Sequence, residues 1–531
     1  MGLRNILRWI VPGDRRASLS EDLRSKLATK TFAAIQTDVQ RLLVADPSAP
    51  EFELFLAEAR RLEWPVLQLE KLKAFGHYYR GELDKAFARA TPYCGGLYGP
   101  EFDPDLFIIA VLCVFNNNQF EDAHRMLASA GDNERLLADR VDYHNIKGSI
   151  CLASNRLAEA KISMDAARRM DPDDALTAMN AYALYFELGE MPAFERLRAE
   201  IAGGRWSDGS AFALATPELA LDNYREGFRL LERRYGQGDA SRYVNPALPA
   251  QSRWQGRAVD YPVGRNLLVT CEQGLGDTVM MSRYLPRLME LTAGRLTVET
   301  QPEAFPLLRH NFPDIAVVLR EHGRRPTQQF DLWIGSMSLP YVFDSVPGNI
   351  PGTAGYIAVP PESLAYWRER VIARSSGGRP RIGVGWSGSP SHRNDRRRSI
   401  PFEIFARLLR QLPDIDFFAL QTKVPDVRPA NLVSVTEEMI TLADTAALIA
   451  EMDLVISVDT SVVHVAGALG KPTWLLLPKR YEWRWSLEGE RNYWYDAVRV
   501  LRQETHGDWE GLLAETFGRR LGNFFGERIA P

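Results

Sequence analysis

Three short stretches carry the residue types from which a phosphate-binding, proton-transferring site can be built. In the first, Leu267, Leu268 and Val269 read as a buried strand, and Gln273-Gly274-Leu275-Gly276-Asp277 is a glycine-rich turn. Residues 278–291 then have helical apolar spacing. A strand, a tight turn and a helix start point backbone N–H groups at an anionic ligand. Asp277 stands at the helix mouth, where it is either an N-cap or, facing a cleft, a general base. In the second stretch, Val458-Asp459-Thr460-Ser461 ends an apolar run and opens a helix through His464. The hydroxyls and N–H groups of Thr460 and Ser461 suit a diphosphate, and Asp459 can accept from a sugar hydroxyl. The same residues also make an ordinary cap, with His464 packed inside. In the third, Gly385-Trp386-Ser387-Gly388-Ser389 follows a strand and leads into His392–Ser399, with arginines at 393, 396, 397 and 398. Such a run is usually a solvated face. Beyond a strand end and a glycine turn it supplies charge for a phosphate leaving group, and Arg398, just before Ser399-Ile400-Pro401, is best placed.

Several other chemistries are set aside. Gly274-Leu275-Gly276 with Glu299 on the next candidate strand resembles a dinucleotide fingerprint, but Val279 fills the slot of the third glycine. Asp414-Ile415-Asp416 imitates a D-x-D metal motif, yet it precedes a strand and Asp416 is expected to point outward, so no metal is assigned. There is no H-E-x-x-H, P-loop or G-x-S-x-G stretch. A formal net charge of −4 gives no general attraction to nucleic acid. Cys94, Cys113, Cys151 and Cys271 are far apart and read as buried free thiols of a reducing compartment. No apolar run approaches the roughly 20 residues of a membrane span. Residues 1–20 form a leader whose apolar part ends at Pro12, unlike a signal peptide, and which can be a membrane-touching amphipathic helix or a frayed or domain-packed end. The expected location is the cytoplasm.

The elements around these motifs fall into two styles. Over residues 21–204 the pattern repeats: Ala86, Ala123 and Ala160 are spaced by 37 and 37 residues, and Phe194 follows 34 residues on. Gly148, Ala160, Met164, Ala167 and Pro172, at offsets 0, 12, 16, 19 and 24, match a tetratricopeptide repeat, with Lys147 and Cys151 departing from its usual types. Such repeats stack into an α-solenoid whose groove takes a peptide or helix. Tyr78, Asn117 and Tyr143 are candidates for that groove. Residues 205–260 read as a linker carrying a docking helix at 217–234. Strands and helices then alternate as two parallel α/β units, 261–376 and 377–531, with strand candidates at 267–269, 296–300, 315–319, 331–334, 381–386, 416–421, 454–458 and 473–477. Ligands of such units sit at the carboxyl ends of the strands.

EQGLGDTVMMSRYLPRL, DLWIGSMSLP, GVGWSGSPSHRNDRRRSIP and SVDTSVVHVAGALGKPTWLLLP together resemble bacterial glycosyltransferases that carry tetratricopeptide repeats. The catalytic half is similar to heptosyltransferases and, more distantly, to O-GlcNAc transferase; the resemblance covers about residues 215–510. It implies a GT-B pair of Rossmann-like domains behind the solenoid, and metal-independent, inverting transfer from a nucleotide sugar with no cofactor. It also implies that Gly276-Asp277 carries the base, that Arg398 replaces a phosphate-binding lysine, and that Asp459-Thr460-Ser461 with His464 binds the donor. Gly274, Gly276, Trp386, Ser387 and Gly388 complete the expected donor site, and residues 481–485 (YEWRW) line the base or acceptor pocket. The repeat fusion favours a protein acceptor, since similar fusions glycosylate flagellins on Ser or Thr. A lipopolysaccharide or other glycan acceptor and a non-catalytic scaffold are the alternatives.

Overall fold

The computed structural model describes residues 21–45, 49–205, 214–236, 245, 247–321, 323–389, 395–479 and 482–526. The leader, Arg393 and Tyr481 lie outside them. Two compact units are present, one up to Pro172 and one from Asp173 onward.

The first unit is a succession of helix pairs: Val66–Tyr79 with Leu83–Ala90, Pro104–Asn116 with Phe120–Ala128, and Val141–Ala153 with Leu157–Met170. The 37-residue spacing has a backbone counterpart. Gly81, Asn118 and Asn155 all turn left-handed, at φ 74°, 60° and 59°, two residues before the second helix of each pair. Glycine and asparagine reach that conformation at least cost. Ala86, Ala123 and Ala160 are fully buried. At Gly148 a Cβ would lie 2.8 Å from Met164 Cε and 3.3 Å from the Ala160 carbonyl oxygen, so the absence of a side chain is what lets these helices approach.

The second unit begins with helices Ala175–Leu188 and Met191–Ala202, which group with it although their sequence continues the repeat spacing. The expected docking helix is two short ones, Ala215–Ala220 and Tyr224–Leu231, broken where Asp222 turns left-handed at φ 63°. Strands β1 (Leu267–Thr270), β2 (Leu296–Thr300), β3 (Ala316–Leu319) and β4 (Leu332–Gly335) form a parallel sheet in the order β3-β2-β1-β4. Strands β5 (Arg381–Gly385), β6 (Asp416–Ala419), β7 (Leu432–Val433), β8 (Leu454–Val458), β9 (Thr473–Leu477) and β10 (Val498–Arg502) form a second parallel sheet, β10-β9-β8-β5-β6-β7. Strand order reverses between β1 and β4 and between β5 and β8, and loops that diverge at such points open a crevice at the carboxyl edge. All three motifs leave carboxyl ends there: Gly274–Asp277 after β1, Trp386–Ser389 after β5, and Asp459–Ser461 after β8.

Three further sequence expectations are corrected. The helix expected over 278–291 is two, Leu275–Ser282 and Leu285–Leu291, because Pro286 has no N–H to continue the ladder. Strands β7 and β10 were absent from the expectation: β7 has only two residues, and β10 interleaves arginines with its apolar residues. Asp416 points inward, not outward. It is buried, and its Oδ2 accepts the Ser376 N–H at 2.6 Å, tying the start of β6 to the turn before β5.

The linker is anchored by a buried ion pair. Arg234 donates to Glu272 through Nη2 (2.6 Å) and Nε (3.2 Å), and its Nη2 also reaches Tyr235 Oη and Ser338 Oγ. Glu272 Oε1 accepts the Met337 N–H at 3.0 Å as well, so one carboxylate joins the linker, the β1 exit and the β4 exit. Removing one partner of such a pair strands a buried charge. Glu272→Ala is therefore expected to lower stability in urea denaturation by about 3 kcal/mol or more, and Arg234→Met/Glu272→Met to recover most of that loss.

Candidate active site

The turn after β1 is held from within. Gln273 turns left-handed at φ 63°, and the Gly274 N–H donates to Asp277 Oδ2 at 3.1 Å, so Asp277 caps the helix Leu275–Ser282 from its third position. Its other oxygen, Oδ1, faces away from the cap and accepts Arg484 Nε at 3.1 Å and Arg484 Nη2. One carboxylate oxygen of Asp277 thus caps the helix while the other is held by Arg484. Gly276 touches the other lobe: a Cβ there would sit 2.5 Å from His464 Cδ2. The helix starts of the two lobes meet at this contact.

On the β8 side, Thr460 is the N-cap of helix Ser461–Ala468, its hydroxyl accepting the Val462 N–H at 3.3 Å. Asp459 is buried and its Oδ1 accepts Trp485 Nε1 at 3.0 Å. Burial, reinforced by the Glu482 charge, pushes the Asp459 carboxyl up to about 6, against the pull of Arg484 and Arg398. His464 is buried, and its Nδ1 shares a 3.0 Å hydrogen bond with Tyr495 Oη. Burial holds its value down to about 3, so the ring is neutral at physiological pH. It is a packed histidine that spaces the two lobes.

Arg398 closes the third side. Its Nη1 donates to the Asp459 carbonyl oxygen at 2.8 Å and its Nε to Asp395 Oδ1 at 3.1 Å. A Cβ at Gly388 would overlap this guanidinium and the Asp395 carboxylate. The Gly388 N–H donates to Ser399 Oγ at 3.0 Å, and Gln421 Nε2 donates to Ser387 Oγ at 3.0 Å. Trp386 lies in the core, its ring against Phe402 and Phe405. Its backbone shapes the loop while its side chain supports the sheet. The half-buried groups at the crevice are Asp277, Ser387, Gly388, Arg398, Thr460 and Ser461, with Gly274 exposed beside them.

The residues that join the two halves lie in the 481–485 stretch expected to line a pocket, but the sequence did not say which carboxylate each would meet. Arg484 contacts Asp277, Gln273 Oε1 (3.4 Å) and Glu482, and Trp485 contacts Asp459. Their only signal was the cluster of aromatic and charged residues at 481–485. Burial opposes the charge on Arg484, but Asp277, Glu482 and Asp459 raise its pKa above the ordinary arginine value.

Of the groove candidates of the first unit, Asn117 is exposed, Tyr78 is half-buried and Tyr143 is buried. Tyr78 Oη accepts from Asn116 Nδ2 at 2.7 Å, and Asn117 is the exposed C-cap of helix Pro104–Asn116. Tyr143 is buried, where its hydroxyl donates to Glu134 at 2.7 Å and burial raises its pKa. Among the described residues, His124, Cys151 and Glu159 of this unit form a group with ligand atoms within 4.8 Å of one another. A cavity of about 660 Å³ in the second unit, lined by Arg198, Glu218, Asp222 and Tyr224, lies between helix Met191–Ala202 and the linker helices and includes none of the motif residues.

Residues 429–476 match the glycosyltransferase family 9 (heptosyltransferase) model. The match contains β8 and the whole Asp459–His464 element. Protein FlbA of Caulobacter vibrioides is 27% identical over 405 residues, 70% of this chain; the alignment spans 65% of that relative, less than two thirds of its length. The ADP-heptose lipopolysaccharide heptosyltransferase II structure of E. coli aligns at 15% identity and TM-score 0.36, over 48% of this chain and 98% of its own. An O-GlcNAc transferase of Thermobaculum terrenum aligns at 13% identity and TM-score 0.31, over 96% of this chain and 93% of its own.

The Asp459 shift has a definite sign. A carboxyl raised from 3.8 to about 6 binds its proton more tightly in the folded chain, so its contribution to stability is present at low pH and lost as pH rises through that window. Asp459→Asn, which mimics the protonated form, is expected to melt above the wild type at pH 7.5, with the difference shrinking at pH 5. Equal differences at both values would contradict the assignment.

Proposed function

We propose that this chain is a metal-independent, inverting glycosyltransferase of GT-B architecture. Asp277 takes the proton of an acceptor hydroxyl, whose oxygen attacks the anomeric carbon of a nucleotide-activated sugar from the face opposite the leaving group. The bond to the nucleoside diphosphate breaks, and its charge is stabilised by Arg398 and by the N–H groups at Thr460-Ser461. The single observation that carries this reading is the meeting of the Asp277 and Thr460 helix starts, through Gly276 and His464, at the carboxyl ends of two parallel sheets. The family match over residues 429–476 supports it from the donor side.

The acceptor is a protein serine or threonine, held by a tetratricopeptide-like first unit, in the manner of flagellin glycosylation. The 37-residue recurrence of left-handed turns and buried alanines supports a repeat architecture there. A glycan acceptor is the second reading, favoured by the heptosyltransferase description of the matched family. Buried free thiols at all four cysteines support a reducing, cytoplasmic setting. No helix among the described residues is long and apolar enough to cross a membrane.

Asp277→Asn is expected to lower sugar transfer by about 10²- to 10⁴-fold, the usual contribution of a general base, while nucleoside diphosphate affinity stays near wild type. Unchanged transfer would remove the base assignment. Truncation at Asp173, the start of the second unit, separates the acceptors: loss of transfer to protein is expected, whereas retained transfer to a glycan would favour the second reading.

A further inference from the structure

The segment Glu482–Trp485 places two consecutive side chains on the two functional carboxylates. Arg484 reaches Asp277 at the exit of β1, and Trp485 reaches Asp459 at the exit of β8. We propose that Arg484 is a positioning residue for Asp277, and that with Trp485 it sets the spacing between the base and the donor-binding helix start that follows Asp459. The proposal rests on the reading of Asp277 as the base.

Arg484 is only 9% exposed, and a guanidinium at that depth needs compensation. It has it: Nε and Nη2 donate to Asp277 Oδ1, Nη1 donates to Glu482 Oε2, and Nη2 also donates to Gln273 Oε1. Four hydrogen bonds from five N–H groups leave the fork engaged inside the protein, which favours orientation over phosphate binding. Its planar face lies 4.4 Å from the centre of the Trp483 ring, removing the remaining freedom of rotation. Asp277 in turn is fixed from two directions, by the Gly274 N–H on Oδ2 and by Arg484 on Oδ1. Trp485 is fully buried, packed at a tilt against His464 with 5.2 Å between ring centres, and its N–H donates to Asp459. A lysine at 484 retains the charge but not the fork that grips Asp277, Gln273 and Glu482 together.

The test uses the full chain and reads release of nucleoside diphosphate from UDP-, GDP- and ADP-linked sugars with water as acceptor. Nucleoside diphosphate affinity is measured separately by calorimetry. Arg484→Met is expected to lower kcat by about 100-fold, the scale of an ångström-level misplacement, with donor KM and nucleoside diphosphate Kd within about threefold of wild type. Arg484→Lys is expected to recover part of that kcat with KM unchanged, and it also reads the proposal if Arg484→Met fails to fold. Trp485→Phe keeps a ring in the stack but loses the N–H, and is expected to raise KM about tenfold with kcat nearly kept. Unchanged kcat in both Arg484 variants overturns the proposal. So does a kcat loss matched by weaker nucleoside diphosphate binding, which would make Arg484 a phosphate ligand. Wild-type kcat in Asp277→Asn would remove the base reading, whereas a dead Asp277→Asn beside a fully active Arg484→Met removes only the positioning role.

Discussion

The candidate site depends on one close approach. Gly276 meets the ring of His464 where a Cβ would come within 2.5 Å, and this contact brings a helix start from each lobe together. Asp277 is the next residue in the chain, and Asp459 lies at the exit of the strand that feeds the His464 helix. Their neighbourhood is therefore fixed by backbone packing before any ligand arrives. The electrostatics follow from the same burial. His464 is kept neutral, Asp459 holds its proton more strongly than a solvated carboxyl, and Arg484 stays charged because acids surround it. A protein dipole already aimed at the reacting atoms needs little reorganisation during bond cleavage, which is how a site can handle a diphosphate leaving group with guanidinium and helix charge.

The parts that were legible in the sequence are those whose physics is local. A glycine turn after an apolar run declares a strand exit and a helix start within a dozen residues, so β1, β5 and β8 and their loops could be read directly. The 37-residue recurrence was legible for the same reason, since each unit repeats its own turn and its own small contact residue. Tyr143 illustrates the limit: a tyrosine can line a groove or fill a core, and only the packing of its helix against its neighbours decides that it is buried. Trp386 is similar, a motif residue whose ring turned out to support the sheet. Asp416 shows the reverse error, because a strand covered on both faces buries a polar residue at its start when a turn N–H is available to satisfy it.

Arg484 was not legible because its meaning depends on a partner 207 residues away. Nothing in the spacing of Glu482, Trp483, Arg484 and Trp485 says which lobe each side chain faces. Arg234 and Glu272 are hidden likewise: each looks like an ordinary charged residue, and only burial turns the pair into an anchor between linker and sheet. Long-range ion pairs of this kind carry specificity that local patterns cannot express, since their worth comes from the desolvation each charge would suffer alone.

The central claim is that the two helix starts form a single nucleotide-sugar site that works without a metal ion. A thermal-shift panel of UDP-, GDP-, ADP- and CMP-linked sugars on the full chain, in the presence of EDTA, tests it most directly. One nucleoside diphosphate class is predicted to raise the melting temperature in EDTA, with the size of the shift growing with ligand concentration. Stabilisation by none of them, or only when a divalent cation replaces EDTA, would contradict the account.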